Sequence, residues 1–259
     1  MTPVALSIAG SDPSGGAGLQ ADLKTFHRFG VYGEAVVTLV TVQNTHGVRR
    51  VQPLDPELVA EQIHAVITDI PPKAAKTGAL GTRGIVEAVA AAADSFTFPL
   101  LVDPVMISKN GARMLEADAR SSFLEKLLPR AFLVMPNLAE AVELTGRAVT
   151  NLETMARAAE RLRALGAQNV LVKGGHLEGD ALDVLLTSTG ALHHFTAPRI
   201  ASPHTHGTGC TYSAAITAEF AKGADLVAAV RQAKAFLTEA IRTSPGLGQG
   251  SGPLNHFAR

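Results

Sequence analysis

Cysteine occurs once in the 259 residues, which excludes an intramolecular disulfide and any multi-cysteine zinc or iron–sulfur site. Net charge is missing too. The 23 Lys plus Arg balance 23 Asp plus Glu, so no global field attracts nucleic acid or anionic lipid. Charged residues are 18%, below the roughly 25% of ordinary globular chains. No run of about 18 uncharged apolar residues offers a membrane span. Residues 1–10 carry no basic segment and meet Asp12 too soon for a secretory signal. The expectation is a cytoplasmic protein with no membrane and no nucleic-acid partner. Low-complexity tails, linkers and internal repeats are absent as well. What is present is 46% hydrophobic residues and 24 glycines, enough for a large core in one continuous domain over residues 1–259.

Short Val/Ile/Leu runs alternate with longer helical patterns. Strands are expected at 4–9, 36–42, 100–104, 132–136 and 169–173, with weaker signals at 74–78 and 181–187. Several of these are apolar without alternation, as in strands covered on both faces. Residues 153–165 place Met155, Ala158, Leu162 and Leu165 on one helical face, and 224–242 do the same with Leu226, Val230, Ala233, Leu237 and Ile241. Asp55-Pro56-Glu57 reads as a helix start. The alternation predicts a three-layer α/β/α sandwich with a mostly parallel central sheet, whose ligands sit beyond the carboxyl ends of strands.

Two glycine-rich segments lie at such positions. The first, Gly10-Ser11-Asp12-Pro13-Ser14-Gly15-Gly16-Ala17-Gly18, precedes a helix near Leu19. It lacks the third glycine of a dinucleotide fingerprint and the Gly-Lys-Ser/Thr of a P-loop. A tight strand-to-helix turn is the plain alternative. The second, His206-Gly207-Thr208-Gly209-Cys210-Thr211, opens a long helix whose first N–H groups and dipole suit an anion, phosphate above all. Cys210 falls in the first turn, where the dipole is expected to lower the thiol pKa. The alternative is a turn beside a small buried cysteine.

Polar groups at strand ends complete the set. Asp103 can hold magnesium or cap a turn. Asn137 and Glu140 read either as a helix capping box or as a polar pair near metal-bound phosphate. Lys173, before Gly174-Gly175-His176, can reach a nucleotide phosphate or lie in solvent. Gln43 offers amide donors and an acceptor to a heteroaromatic ring. Asp22 reads by itself as a solvated helix charge. His193, His194, His204 and His206 match no metal-ligand spacing.

Taken together, these motifs resemble the hydroxymethylpyrimidine kinase / phosphomethylpyrimidine kinase family of thiamine biosynthesis, in the ribokinase-like superfamily. The likeness runs from Ile8 through Phe26, Gln43-Asn44-Thr45, Asp103-Pro104-Val105-Met106, Pro136–Ala141 and Lys173–His176 to the His-Gly-Thr-Gly-Cys turn and the tail Gly250–Phe257. It implies two successive phosphorylations of 4-amino-5-hydroxymethyl-2-methylpyrimidine, with ATP and Mg2+, by a homodimer. It assigns Gln43, Asp22, Gly10 and the Val105 backbone to the pyrimidine. Asp103 and Glu140 go to the metal, and Lys173, Asn137, Glu140 and Thr208 to the nucleotide. Gly207, Thr208 and Gly209 form the anion hole. Cys210 stands where sugar kinases carry an aspartate base, and is the implied base here. Residues 107–113, with Lys109, Asn110 and Gly111, are expected to fold over the phosphates.

Three rivals are weighed against this. A pyridoxal or pyridoxine kinase of the same superfamily acts on a similar hydroxymethyl ring. A catalytically dead binding module would have lost Cys210, Asp103 or the glycine turn. A Rossmann dehydrogenase needs a fingerprint that is not in place.

Overall fold

The apolar runs form the middle of one sheet. The computed structural model describes residues 2–108, 111–175 and 179–258. Its strands are β1 (Val4–Ser11), β2 (Tyr32–Asn44), β3 (Gly47–Pro53), β4 (Ala74–Thr77), β5 (Leu100–Val102), β6 (Leu133–Val134), β7 (Asn169–Gly174), β8 (Ala181–Leu186) and β9 (Leu192–Ala197). They join in the order β3-β2-β1-β4-β5-β6-β7-β8-β9. From β2 to β7 every neighbour is parallel, while β3, β8 and β9 run antiparallel to theirs. The mostly parallel sheet is as expected. The strands β3 and β9 at its edges are additions, because their half-exposed, polar sequences carry no continuous apolar signal.

The helices are α1 (Gly18–Arg28), α2 (Pro56–Asp69), α3 (Arg83–Ala93), α4 (Ala119–Ser122), α5 (Leu138–Thr145), α6 (Leu152–Ala164), α7 (Thr208–Ala221) and α8 (Leu226–Arg242). Asp55 caps α2 by accepting from Glu57 N, with Pro56 in the first turn as the sequence indicates. Successive strand residues face opposite layers. Thus Val102, Val134 and Val172 pack with Ile63, Val86, Leu144 and Leu162 of α2, α3, α5 and α6. Leu101, Leu133 and Leu171 pack with Tyr212, Ile216, Val230 and Leu237 of α7 and α8. Burying such side chains contributes about 2 kcal/mol each.

β1 lies between β2 and β4, so the chain order reverses beside it. That reversal opens a crevice at the carboxyl ends of the strands. The first glycine segment leaves β1 there, Asp103 follows β5, Asn137 follows β6, Lys173 ends β7, and α7 starts over the same rim.

Candidate active site

The start of α7 is built by glycine. Gly207 has φ 81°, and a Cβ there would land on the carbonyl oxygen of Gly16, so the two glycine segments are in direct contact. Thr208 Oγ1 donates to the Thr205 carbonyl at 2.7 Å. No side chain caps α7, and the N–H groups of Gly209 and Cys210 have no acceptor among the described residues. A Cβ on Gly209 would sit 3.6 Å from Asp103 Oδ2 and 3.7 Å from Lys173 Nζ. The open positive end of a helix therefore lies beside a lysine, as suits an anion, and beside a carboxylate, which a cation would have to bridge to that anion.

Lys173 Nζ donates to Asp103 Oδ1 at 2.7 Å, and Ser213 Oγ donates to Asp103 Oδ2 at 3.3 Å. Burial works against the Lys173 ammonium, but Asp103 and Glu140 hold its pKa above the usual value. Asn137 and Glu140 form the capping box of α5: Glu140 N donates to Asn137 Oδ1 at 2.9 Å, and Asn137 N to Glu140 Oε2 at 2.8 Å. Burial raises the Glu140 carboxyl to about 7, and the Asp103 charge adds to this against the pull of Lys173. So the capping reading of this pair is the one drawn in the structure, and the same carboxylate also feels the lysine and Asp103. Among the described residues no group of three or more His, Cys, Asp or Glu is arranged to hold a metal. Two neighbouring carboxylates nevertheless fit Mg2+, which is typically held by one or two of them with phosphates and water supplying the rest.

Cys210 departs from expectation. Burial pushes its thiol up to about 11 instead of down, the nearby Asp22 and Asp103 charges reinforce this, and Lys76 and the Gly18 N–H only partly oppose it. The Gly18 N–H points at the sulfur at 3.4 Å. The residue as a whole is only partly covered, and it is the sulfur's surroundings, with Asp22 and Asp103 near enough to act on it, that raise the thiol.

The first glycine segment is organised by Asp12, which sequence reasoning passed over. Its Oδ1 accepts from Ser14 N (2.9 Å) and Ser14 Oγ (2.7 Å), and its Oδ2 from Gly16 N (3.2 Å) and Ala17 N (2.9 Å). His206 Nε2 lies 2.8 Å from the same Oδ2 and 3.0 Å from Gln43 Nε2. Burial disfavours the Asp12 charge, yet hydrogen bonds from His206 and Ser14 keep its pKa below the usual range.

The remaining site residues fall as follows. Asp22 is fully buried, not solvated: both oxygens receive Lys76 Nζ at 2.8 Å, and Oδ2 also accepts from Ser7 Oγ at 2.6 Å. Its charge acts on Cys210, but it has no exposed surface. Gly10 meets Leu39, and its carbonyl lies where a Cβ on Gly18 would fall, so here it serves close packing. Val105 donates its N–H to the Asp103 carbonyl at 2.9 Å and packs near Leu39, Ala79 and Met114. Ile107 and Arg113 pair as an isolated bridge, while Lys109, Asn110 and His176 lie outside the described residues. Sequence reasoning also missed Lys76 and the Asp183–Lys234 ion pair at 2.6 Å, whose Asp183 Oδ1 accepts from Gly174 N at 3.1 Å beside Lys173. A cavity of about 360 Å³ lined by Phe96, Phe98, Arg130, Phe132 and Phe220 opens at the amino ends of β5 and β6, away from these groups.

Fold and site define a phosphotransferase: an α/β/α sandwich with an open helix start, a lysine and paired carboxylates over one strand rim. A family model for phosphomethylpyrimidine kinase matches residues 12–255, and the chain belongs to that family. The hydroxymethylpyrimidine/phosphomethylpyrimidine kinase of Rhizobium meliloti is 48% identical over 262 residues, covering 100% of this chain and 98% of that protein. The thiamine biosynthesis bifunctional protein ThiED of Geobacter sulfurreducens is 47% identical over 254 residues; the match covers 97% of this chain and 52% of that longer protein. Among solved structures, a Bacillus subtilis pyridoxal kinase in complex with ADP superposes with TM-score 0.91 at 38% identity, covering 100% of this chain and 98% of that one. The phosphomethylpyrimidine kinase of Clostridium difficile gives TM-score 0.82 at 41% identity, covering 93% and 100%. The fold is ribokinase-like, and the chain is a kinase. Among the described residues no helix is long and apolar enough to cross a membrane.

Proposed function

We propose that the protein uses ATP to phosphorylate 4-amino-5-hydroxymethyl-2-methylpyrimidine, first at its hydroxymethyl group and then at the resulting monophosphate. The observation that carries this reading is the uncapped start of α7, which bears Cys210 and lies beside Lys173 and Asp103. The free N–H groups of Gly209 and Cys210 receive the transferring phosphoryl, whose loose transition state spreads charge over its oxygens. Lys173 takes the nucleotide phosphates. Asp103, with Glu140 behind it, holds Mg2+, which neutralises phosphate charge when bound. Gln43 reads the ring edge.

Cys210 keeps its proton in the ligand-free site, since its thiol sits near 11. It first orients the acceptor hydroxyl. To act as base the thiol must first release its own proton to solvent, a loss that Lys76 and the α7 dipole favour; the thiolate then takes the hydroxyl proton as the phosphoryl is transferred. Late proton loss suits a loose transition state, where positioning and charge stabilisation dominate. We further infer a homodimer, which light scattering checks, and a cytoplasmic location, where ATP is supplied.

Purified protein with ATP, Mg2+ and the hydroxymethylpyrimidine, followed by mass spectrometry, should give the monophosphate and then the diphosphate. A parallel reaction with pyridoxal tests the second reading, favoured by the pyridoxal kinase superposition. Product from pyridoxal alone would move the assignment there, and no product in either would leave only ligand binding.

A further inference from the structure

His206 joins the two glycine segments to the residue that reads the substrate ring. It is 5% exposed and Asp12 is 3% exposed, so water does not compete at their contact. Asp12 Oδ2 already accepts from Gly16 N and Ala17 N as an ionised carboxylate. A nitrogen 2.8 Å from such an oxygen must carry a hydrogen, which fixes the proton of His206 on Nε2. The Gln43 amide touches this same Nε2, at 3.0 Å. Two N–H groups cannot share that contact. Amide oxygen and nitrogen are nearly identical in size, so the chemistry assigns which one faces the ring.

We propose that His206, held by Asp12, locks the Gln43 amide with its oxygen toward the imidazole and its NH2 toward the acceptor ring. The subsite then reads one pattern: an acceptor ring nitrogen beside a donor amino group. The Gln43 oxygen has two lone pairs. One shares the His206 N–H with Asp12 Oδ2 in a three-centre bond, and the other is left for the ring amino group. A free glutamine could turn its amide to suit either pattern, whereas a locked one rejects the reverse, because buried polar groups would face like partners. His206 is thus a positioning residue that acts through Gln43. The inference rests on the aminopyrimidine reading above.

The test compares two acceptors. One is the aminopyrimidine. The other is its 4-oxo counterpart, which presents N3–H and a carbonyl, the reverse pattern. Wild type should favour the amino compound by on the order of 100-fold in kcat/KM. His206→Phe frees the amide, and the preference should fall at least about tenfold while KM for ATP stays unchanged. His206→Gln carries an amide N–H to nearly the place of Nε2, and should keep the preference within about threefold of wild type. An undiminished preference in His206→Phe overturns the proposal, as does a wild-type ratio near one. If His206→Phe does not fold, nitrogen-15 NMR of the wild-type imidazole decides: hydrogen on Nε2 supports the lock, and hydrogen on Nδ1 overturns it. Wild type phosphorylating neither ring would sink the pyrimidine reading, while the NMR result would still judge the lock.

Discussion

Two glycine-rich turns lead into helices at the same rim, and they treat their backbone N–H groups in different ways. In the turn before α1 the N–H groups of Gly16 and Ala17 are occupied by the Asp12 carboxylate, an anion supplied by the chain itself. At α7 no side chain caps the helix, and the N–H groups of Gly209 and Cys210 have no acceptor among the described residues. Glycine richness before a helix is therefore no measure of ligand binding. What decides is whether a nearby acidic side chain has already taken the anion's position. The loop before α1 is a structural clamp that holds His206, and the α7 loop is the phosphoryl site proposed above.

The comparison breaks most visibly at Cys210. Cys210→Ala should lower kcat by about 10²- to 10⁴-fold, the usual range for a proton-transfer group, with KM little changed. Near-native turnover would remove the residue from the chemistry. In the free wild-type enzyme, the thiol near 11 should make alkylation by iodoacetamide slow at pH 7 and faster as pH rises toward 11. Fast alkylation at pH 7 would mean that the α7 dipole prevails over burial after all.

Asp12→Ala should cost about 3 kcal/mol, roughly 8 °C in Tm, since several buried donors lose a charged partner. It should also free the Gly16 and Ala17 N–H groups for an outside anion. Added inorganic phosphate should then raise Tm more in the variant than in wild type, and an equal response would show the two loops to differ in more than Asp12.

A comparable effect follows pH at His256, whose Nε2 lies 3.1 Å from Thr211 Oγ1 in the first turns of α7. Burial lowers its pKa to about 4, with help from Lys24, against 6.5 for the free side chain. The unfolded chain thus binds the proton first, and this contribution to stability is full above pH 6.5 and is lost as pH falls toward 4. The total is about 3 kcal/mol. Urea titrations should show wild type losing this stability relative to His256→Gln on acidification, and parallel pH curves would contradict it.

The smallest change is Thr208→Val. It removes the hydroxyl bond to Thr205 and should reduce kcat/KM by about tenfold or less for both phosphorylations, with about 1 kcal/mol lost in stability. A loss confined to one phosphorylation would mean the two steps use different anion contacts.

Much of this was legible in the chain. The central strands announce themselves because both faces are buried, and the α7 turn because glycines precede a long helix. For Asp22 only the plain alternative, a solvated helix charge, fails, and the signal against it was available: Leu19, Asp22 and Phe26 share one helical stripe, so the acid lies on the buried face. Lys76, within the short buried run Ala74–Thr77, was its partner in plain view. Asp12 and His206 are different. They stand 194 positions apart, and no local pattern couples them. The Cys210 shift was equally out of reach, since it depends on which carboxylates fold near the sulfur.

That separation also orders events in time. The Gly18 N–H and the Cys210 sulfur meet across 192 positions, and Gly207 must seat on Gly16 before either loop is complete. A ribosome finishes the first loop early, yet Asp12 has no histidine to hold and the substrate ring has no fixed reader until α7 emerges. Most of the sheet can assemble while the enzyme is still inert, and catalysis begins only when the late segment closes on the early one.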